Sequence, residues 1–545
     1  MKKIYTKLLC FAVASSFVAC DDFLSEYSQD MVIAKTVTHL DEVLLGSVYV
    51  PSYGVTAPDG QSVCGFLNIL DDDINTAKGT VGSHKIPQHP HDILFNNFGY
   101  FAWQQEVGYN LDGSSKAYDD VTWNDMYKRI NYVNVILDEI VDMPHTTDED
   151  LAAYYRVQGE AHFLRAQFYL ILANLYGKPY DADASKNLCV PLKLTPYVEH
   201  DNDKETQFQR ATVKEIYDQI VDDLTKSVEY LTLSPQNAKN RLHRASAEAA
   251  NLLLSRVYLY MQEWALAETT AEEVIKSKNF SLAGLNLLGD EVNFLTQSNP
   301  EIIFSQGSNN FPQSATEGNA PLSAYTNTYC VSSDLANIYD QEKDRRFTCF
   351  FGITPELYYG YVIGQTDSLG LHNKYDSPIN SKSHISDVFT LRVSEAYLNK
   401  MEACAMLGHT EEANDLLNKL RNQRIDDYTN ESYTVEELVS QIRDERRKEL
   451  CFEGHRWFDL RRYSVNELYP YSKRIVHVYN VANNKGYHQK TQTYVLEEHD
   501  QAYTFAIPQN VLNFDKVPME TNPRPKRASL ESLQEEEEEE KEDKE

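Results

Sequence analysis

The chain has 545 residues, of which 42% are apolar and 11% aromatic, so it can bury a large core in one large or two ordinary domains. This composition excludes a disordered chain, a collagen and a small disulfide scaffold. Acidic residues number 82 against 51 basic ones, and the formal charge of −31 makes nucleic acid an unfavourable partner. The 36 tyrosines favour a binding protein, because tyrosine offers both a ring and a hydroxyl for recognition.

Residues 1–19 have the pattern of a signal peptide. Three lysines precede an uncharged apolar stretch that is too short to span a membrane. The small residues before Cys20 look like a bacterial lipobox, so we expect the Cys20 sulfur to carry a diacylglyceryl group and the protein to be anchored by palmitate-type chains. The alternative is an ordinary secretory cleavage that leaves Cys20 as a thiol.

Helical periodicity dominates the rest of the chain. Apolar positions recur at spacings of three and four, and Gly159, Ala166 and Ala173 recur seven apart, which lets a second helix approach closely. Pairs of helices joined by short turns predict a mainly α, tetratricopeptide-like scaffold of about four pairs. The predicted helical scaffold comprises about 36–50, 121–280 and 390–465.

Two long inserts interrupt this pattern, at about 51–120 and 281–389. Both are rich in Gly, Asn, Ser, Pro and aromatic residues, and we expect loops with short strands that form the ligand face. A closing segment covers about 466–530, and residues 531–545 form an acidic, disordered tail that cannot pack. Residues 20–530 are therefore predicted to form a single domain.

One irregular segment offers a binding surface for a ligand. Trp103 is the tryptophan that no helical packing pattern explains, and a sugar ring can stack on its plane while nearby amides bind the hydroxyls. The alternative is an aromatic mini-core that only holds the loop in place. The candidate ligand-binding residues are Trp103, Tyr100, Tyr109, Asn97 and Gln104, with Tyr325 and Tyr329 as weaker candidates from the second insert.

The sequence carries few signs of metal or catalytic chemistry. Residues 71–75 begin like a calcium loop, but Thr76 and Gly82 stand where that loop needs glycine and glutamate, so we predict a solvated acidic turn. Three histidines between residues 84 and 91 lack the spacing of a zinc site. Phosphate-loop, dinucleotide, metalloprotease and serine-hydrolase motifs have no match. We expect no metal, no cofactor and no enzymatic activity.

The cysteines also lack a metal-binding pattern. The six cysteines after Cys20 form no C-x-x-C pair, which argues against a structural zinc site. Cys404 and Cys451 lie in helical patterns, where we expect buried thiols.

A long motif, E-R-x-x-E-L-x-x-E-G-x-R-W-x-D-L-x-R, occupies residues 445–462. Its positions include Arg446, Glu449, Glu453, Arg456, Trp457 and Asp459. This motif strongly resembles the SusD/RagB family of Bacteroidetes outer-membrane lipoproteins. Further blocks in the family's order cover essentially the whole chain, at Trp123 and Tyr127, Gly159 to Ala166, Arg392 to Arg424, Pro508 and Thr521 to Pro523.

The resemblance implies a tetratricopeptide-type scaffold seated on a SusC-like TonB-dependent transporter. Such proteins usually capture oligosaccharide or polysaccharide at the cell surface and deliver it to the transporter. Some members handle peptides or glycoproteins, so a peptide- or glycoprotein-binding protein is the alternative. Asp21 and Asp22 resemble the family's acidic export signal, which implies a surface-exposed lipoprotein of the outer membrane.

The carboxylates of the motif could be mistaken for a glycosidase pair. Glu445, Glu449 and Glu453 are four residues apart on a predicted helix and alternate with arginines, which is how an ion-paired helix contact is built. We therefore predict a structural role for the motif, with no catalytic residue in it.

Overall fold

The structure is a computed structural model. It describes residues 34–50, 64–76, 97–109, 113–114, 121–196, 204–234, 241–289, 292–307, 329–358, 361–371, 374–375, 385–482 and 488–532. The predictions for Cys20, Asp21, Asp22, Tyr325 and the three histidines lie outside these residues, as does most of the acidic tail.

The described part of the chain is mainly α-helical, as predicted. Its longest helix, α4, is buried on all sides over its last 20 residues, 157–176. The α-helices are α1 (Val37–Val43), α2 (Phe98–Phe101), α3 (Val121–Glu139), α4 (Asp148–Tyr176), α5 (Val213–Leu233), α6 (Ala247–Tyr260), α7 (Trp264–Ile275), α8 (Ser333–Ala336), α9 (Arg345–Phe350), α10 (Val393–Leu407), α11 (Thr410–Arg421), α12 (Val435–Leu450), α13 (Arg456–Ser464) and α14 (Gln509–Leu512).

The long helices pack against one another in chain order. Helix α3 packs on α4, α4 on α5, α5 on α6, and α6 on α7. Helix α10 packs on α7, and α11 and α12 pack on α10, so the array continues across the second insert. Among the described helices, none is long and apolar enough to cross a membrane.

Local sequence signals set the helix ends. Thr212 and Glu215 form a capping box at the start of α5, and Thr434 with Glu437 forms another at the start of α12. Gly408 ends α10 with φ of 79°, a left-handed conformation that glycine adopts without steric cost.

The predicted close helix contact is present at Gly159. A Cβ atom at this position would lie 2.6 Å from Leu231 Cγ of α5. The Ser227 hydroxyl of α5 also donates a hydrogen bond to the Gly159 carbonyl oxygen at 2.8 Å. Helices α4 and α5 can approach this closely because residue 159 has no side chain.

The strands of the described residues form four short antiparallel pairs. Strand β1 pairs with β3, β2 with β6, β4 with β5 and β7 with β8. The strands are β1 (Ile74–Thr76), β2 (Ile302–Ser305), β3 (Tyr329–Val331), β4 (Phe351–Tyr358), β5 (Tyr361–Leu371), β6 (Thr390–Arg392), β7 (Ile475–Ala482) and β8 (His488–Leu496).

Strand β1 connects the first insert with both the second insert and the closing segment. Ile74 of the first insert pairs with Val331 of the second. The Val478 amide of β7 donates to Asn75 Oδ1 at 2.9 Å, and the Thr76 hydroxyl donates to the Val478 carbonyl. The β7–β8 hairpin lies in the closing segment, where the sequence indicated no strands.

A single cluster of buried apolar side chains runs from α1 to the closing segment. Cys404 and Cys451 are buried thiols within it, as predicted, and none of the six cysteines of the described residues forms a disulfide.

Candidate functional site

Glu449 of α12 lies at the centre of a buried ionic core. Its carboxylate accepts hydrogen bonds from Arg392 at 2.6 Å, from Arg424 at 2.9 Å and from Arg346 at 2.9 Å. Glu301 balances this positive charge by accepting from Arg392 at 2.9 Å and from Arg424 at 2.6 Å. Burial alone would raise the pKa of Glu449, but the charges of Arg424 and Arg392 hold it well below its ordinary value.

The neighbouring glutamates of the motif are paired in the same way. Glu453 contacts Arg392 at 2.8 Å and Lys374 at 2.9 Å. Glu445 accepts from Arg421 Nε at 2.8 Å. Both glutamates are fully enclosed, so neither can exchange protons with a ligand that arrives from solvent.

Asp459 and Trp457 complete the motif on α13. Asp459 accepts from Arg446 at 2.7 Å and from Arg462 at 2.8 Å. Trp457 stacks on Tyr503 with ring centroids 4.6 Å apart. The ion pairs predicted for the motif are present, and they join α12 and α13 to the rest of the scaffold.

The prediction of a solvated acidic turn at residues 71–73 is wrong, because all three aspartates are buried. Arg456 donates two hydrogen bonds to Asp72, at 2.7 and 2.9 Å, and Arg447 Nε donates to Asp73 at 2.7 Å. The three carboxylates lie close enough together to consider a metal, but arginines already pair with Asp72 and Asp73, and Asp71 Oδ1 accepts from the Asp73 amide at 3.0 Å. The turn is therefore an ion-paired tether between the first insert and the helical motif.

Trp103 does not offer a stacking surface, which corrects the leading site prediction. Its side chain is 0% exposed, its indole Nε1 donates to the Leu70 carbonyl at 2.8 Å, and its ring stacks on His477 with centroids 4.2 Å apart. Its φ of 48° is a left-handed conformation that these contacts hold in place. The alternative interpretation, an aromatic mini-core that fixes the loop, is the one that describes Trp103.

Two of the candidate tyrosines are also core residues. Tyr100 is buried and stacks on Phe66 with centroids 4.3 Å apart. Tyr329 of β3 is buried beside Phe101, with centroids 5.7 Å apart. Neither ring can stack on a ligand, because other side chains cover both.

Three candidates keep access to solvent on the same segment. Tyr109 is 40% exposed, and Asn97 and Gln104 are half-buried. The Gln104 amide donates to the Ala102 carbonyl at 3.1 Å, which orients its side chain. Trp103 and Tyr100 anchor residues 97–109 to the core, and Tyr109 remains the exposed ring of the segment.

A feature that the sequence did not indicate is a cleft of about 500 Å³ between α3 and the closing segment. Its aromatic lining comes from distant parts of the chain, with Trp123 and Tyr127 on α3, Phe208 before α5, and Phe514 after α14. No local pattern links these positions, so only the fold reveals the cleft.

Two family models match the chain. One, described as starch-binding and associating with the outer membrane (SusD-like_3), matches residues 62–259. The other, described as the SusD family (SusD_RagB), matches residues 352–523, which include the ionic motif. The two matches lie one after the other and together cover about two thirds of the chain.

Curated relatives match over most of their length. SusD-like protein P38 of Formosa agariphila is 23% identical over 405 residues, covering 66% of this chain and 74% of the relative. SusD-like protein P25 of the same organism is 22% identical over 516 residues, covering 84% of this chain and 89% of the relative.

Solved structures share the fold. A SusD superfamily protein from Bacteroides thetaiotaomicron has a TM-score of 0.65 at 21% identity, covering 90% of this chain and 100% of that one. A SusD-like carbohydrate binding protein from Bacteroides vulgatus has a TM-score of 0.64 at 18% identity, covering 89% of this chain and 99% of that one. The architecture is that of a helical-repeat protein with a loop-rich face. The chain belongs to the SusD/RagB family.

Proposed function

We propose that this protein binds oligosaccharide or polysaccharide at the cell surface and delivers it to a SusC-like TonB-dependent transporter. The observation that carries the proposal is the match of SusD-family models to both halves of the chain. One relative that shares the fold over 89% of this chain is described as a carbohydrate binding protein, which supports a glycan as the ligand.

The anchor belongs to the same proposal. The signal-peptide pattern and the lipobox-like residues before Cys20 support lipidation of that sulfur. Asp21 and Asp22 follow directly and act as the export signal to the outer face of the outer membrane. The lipid on Cys20 then holds the protein in the outer membrane next to its transporter.

Residues 97–109 form the proposed glycan contact. Tyr109 supplies an exposed ring for the C–H face of a sugar, and the Asn97 and Gln104 amides supply donors and acceptors for its hydroxyls. The buried rings of this segment keep its backbone in one conformation, which lowers the ordering cost of binding.

Affinity electrophoresis tests this proposal, using the mature chain with Cys20→Ser so that it stays unlipidated. Gels that contain one polysaccharide each should retard the protein in at least one case. Tyr109→Ala should weaken that retardation about tenfold, which corresponds to about 1.4 kcal/mol.

Tyr471→Ala is the matched control, because Tyr471 is also 40% exposed but lies between α13 and β7. Retardation by peptides or glycoproteins alone would replace the proposal with the peptide-binding alternative. Equal retardation of the Tyr109 variant and the parent would move the glycan contact away from residues 97–109.

A further inference from the structure

The cleft between α3 and the closing segment has the properties of a small-ligand site. Its volume of about 500 Å³ lies within the usual range for such sites. Trp123 and Tyr127 line the side formed by α3, and Phe208 and Phe514 line the opposite side. The rings of Phe208 and Phe514 have centroids 5.9 Å apart.

Hydrogen bonds connect two of the segments that line the cleft. The Thr206 hydroxyl donates to the Val517 carbonyl at 2.8 Å, which ties the segment before α5 to the closing segment. Arg210 donates to the Glu520 carbonyl at 3.0 Å and to Asn522 Oδ1 at 2.9 Å. The cleft is therefore pre-formed by the fold and does not depend on the conformation of one loop.

The floor is ordered as well. The Tyr127 hydroxyl donates to the Pro191 carbonyl at 2.6 Å, which fixes the ring. Lys193 Nζ donates to Asn131 Oδ1 at 2.7 Å, and both residues line the cleft. The floor therefore presents a cation and an amide beside an aromatic ring.

Two features of this cleft suit a ligand. Phe514 is 60% exposed, so its ring is accessible from solvent. Asp515, which also lines the cleft, is buried, and its Oδ1 has no hydrogen-bond partner among the described residues. A buried carboxylate oxygen without a donor is costly, so a ligand that supplies a donor would satisfy it.

We infer that the cleft binds one pyranose ring of a glycan, as a second carbohydrate site of this protein. The inference rests on the proposed function for its ligand class. The cleft is separate from the glycan contact proposed at residues 97–109, because none of those residues lines it.

The chemistry of a sugar fits the groups that are present. Its apolar C–H face stacks on Phe514, and one hydroxyl donates to Asp515 Oδ1. Other hydroxyl oxygens accept from Lys128 and Lys193, which also line the cleft. A hydroxylated ring both donates and accepts, and it carries an apolar face, so it matches all three kinds of group.

Saturation-transfer NMR with small sugars tests this site directly. The unlipidated mature chain is mixed separately with glucose, galactose, mannose, xylose and galacturonate at millimolar concentration. At least one sugar should receive saturation, and Phe514→Ala and Asp515→Asn should each reduce that transfer at least fivefold. Phe514→Tyr, which keeps the ring, and Tyr471→Ala, outside the cleft, should leave it unchanged.

Absence of transfer to all five sugars would overturn the inference, as would transfer that persists in Phe514→Ala. Phe514 is exposed, so its variant should fold, and thermal unfolding checks this. The two proposals can fail separately. If polysaccharide retards the protein through Tyr109 but no monosaccharide receives saturation, the proposed function stands and the second site is excluded.

Discussion

At the scale of single residues, Trp103 and Tyr109 lie six positions apart in one segment but differ in their exposure to solvent. Trp103 is enclosed between the Leu70 carbonyl and the His477 ring, and it anchors the first insert to the β7–β8 hairpin. Tyr109 projects from the same segment and is 40% exposed. Trp103 therefore stabilises the segment, whereas part of the Tyr109 side chain faces solvent.

Trp103→Ala should destabilise the fold. Removal of a fully buried indole leaves a cavity and an unpaired Leu70 carbonyl, for which we expect a loss of about 3–5 kcal/mol in the free energy of unfolding. Urea denaturation measures it. Tyr109→Ala should change the free energy of unfolding by less than about 1 kcal/mol, and a similar loss in both variants would contradict the assigned burial.

Glu449→Gln tests whether the ionic core is structural. The variant keeps the shape of the side chain but leaves the charges of Arg346, Arg392 and Arg424 undercompensated in a buried site. We expect a loss of about 3–5 kcal/mol in the free energy of unfolding, measured by urea denaturation.

The control for this variant is Asp183→Asn, which breaks the exposed pair of Asp183 and Lys186. Solvent screens such a pair, so its loss should leave the urea midpoint unchanged. An unchanged midpoint in Glu449→Gln as well would show that the buried network contributes nothing to the fold.

At the scale of elements, the helices could be predicted because their signals are local. The predicted scaffold at 121–280 and 390–465 contains α3 to α7 and α10 to α13. The small residues of α4 correctly predicted a close helix contact, because spacing along one helix is visible in the sequence.

Long-range contacts could not be predicted in the same way. Asp72 appears as part of a solvated acidic run until Arg456, 384 positions later, is placed against it. Trp103 likewise meets His477 only in the folded chain. Among the candidates of residues 97–109, the sequence favoured Trp103, which is buried, and only the fold shows that Tyr109 is the more exposed ring.

Gly159→Ala tests the contact between α4 and α5. Alanine favours a helix over glycine, but its Cβ would lie 2.6 Å from Leu231 Cγ, so the helices must move apart. We expect overpacking to cost about 1–3 kcal/mol of stability, measured by thermal and urea unfolding. Gly46→Ala, where the Cβ meets nothing within 4 Å, should not destabilise, and equal effects would refute the close contact.

At the scale of the whole molecule, buried charge joins parts of the chain that are far apart in sequence. Arg392 at the start of α10 and Arg424 after α11 both pair with Glu449, and Glu301 before β2 pairs with the same two arginines. Asp72 brings the first insert to Arg456 of α13. The folded state as a whole therefore depends on the ionisation of these groups.

The buried His477 predicts how the free energy of unfolding changes with pH. Burial lowers the pKa of His477 to about 4, below the ordinary 6.5, so between these values the unfolded chain takes up a proton that the folded chain does not. The contribution of His477 to the free energy of unfolding is fully present above pH 6.5. It falls by up to about 3 kcal/mol as the pH drops toward 4.

Buried carboxylates cause a further loss of stability at lower pH. Although burial alone would raise the pKa values of Glu453 and Asp459, neighbouring cations hold them below their ordinary values of 4.5 and 3.8. Their stabilisation is present above those values and is lost as the pH falls further. Thermal unfolding from pH 8 to pH 3 should therefore show a gradual decline below 6.5 and a steeper one below 4.5.

His477→Gln separates the two parts of this profile. The variant should be less stable at every pH, yet its decline between pH 6.5 and 4 should be shallower, because the titrating group is gone. His499→Asn, an exposed control, should keep the parent profile. Parallel profiles for His477→Gln and the parent would rule out this histidine as the source of the decline.

Calorimetric titration of the unlipidated mature chain measures whether this protein binds a glycan. The titrants are a panel of purified polysaccharides and, separately, peptide digests. We predict saturable heat from at least one polysaccharide, reduced in Tyr109→Ala, and none from the peptides. Saturable heat from peptides alone would contradict glycan binding.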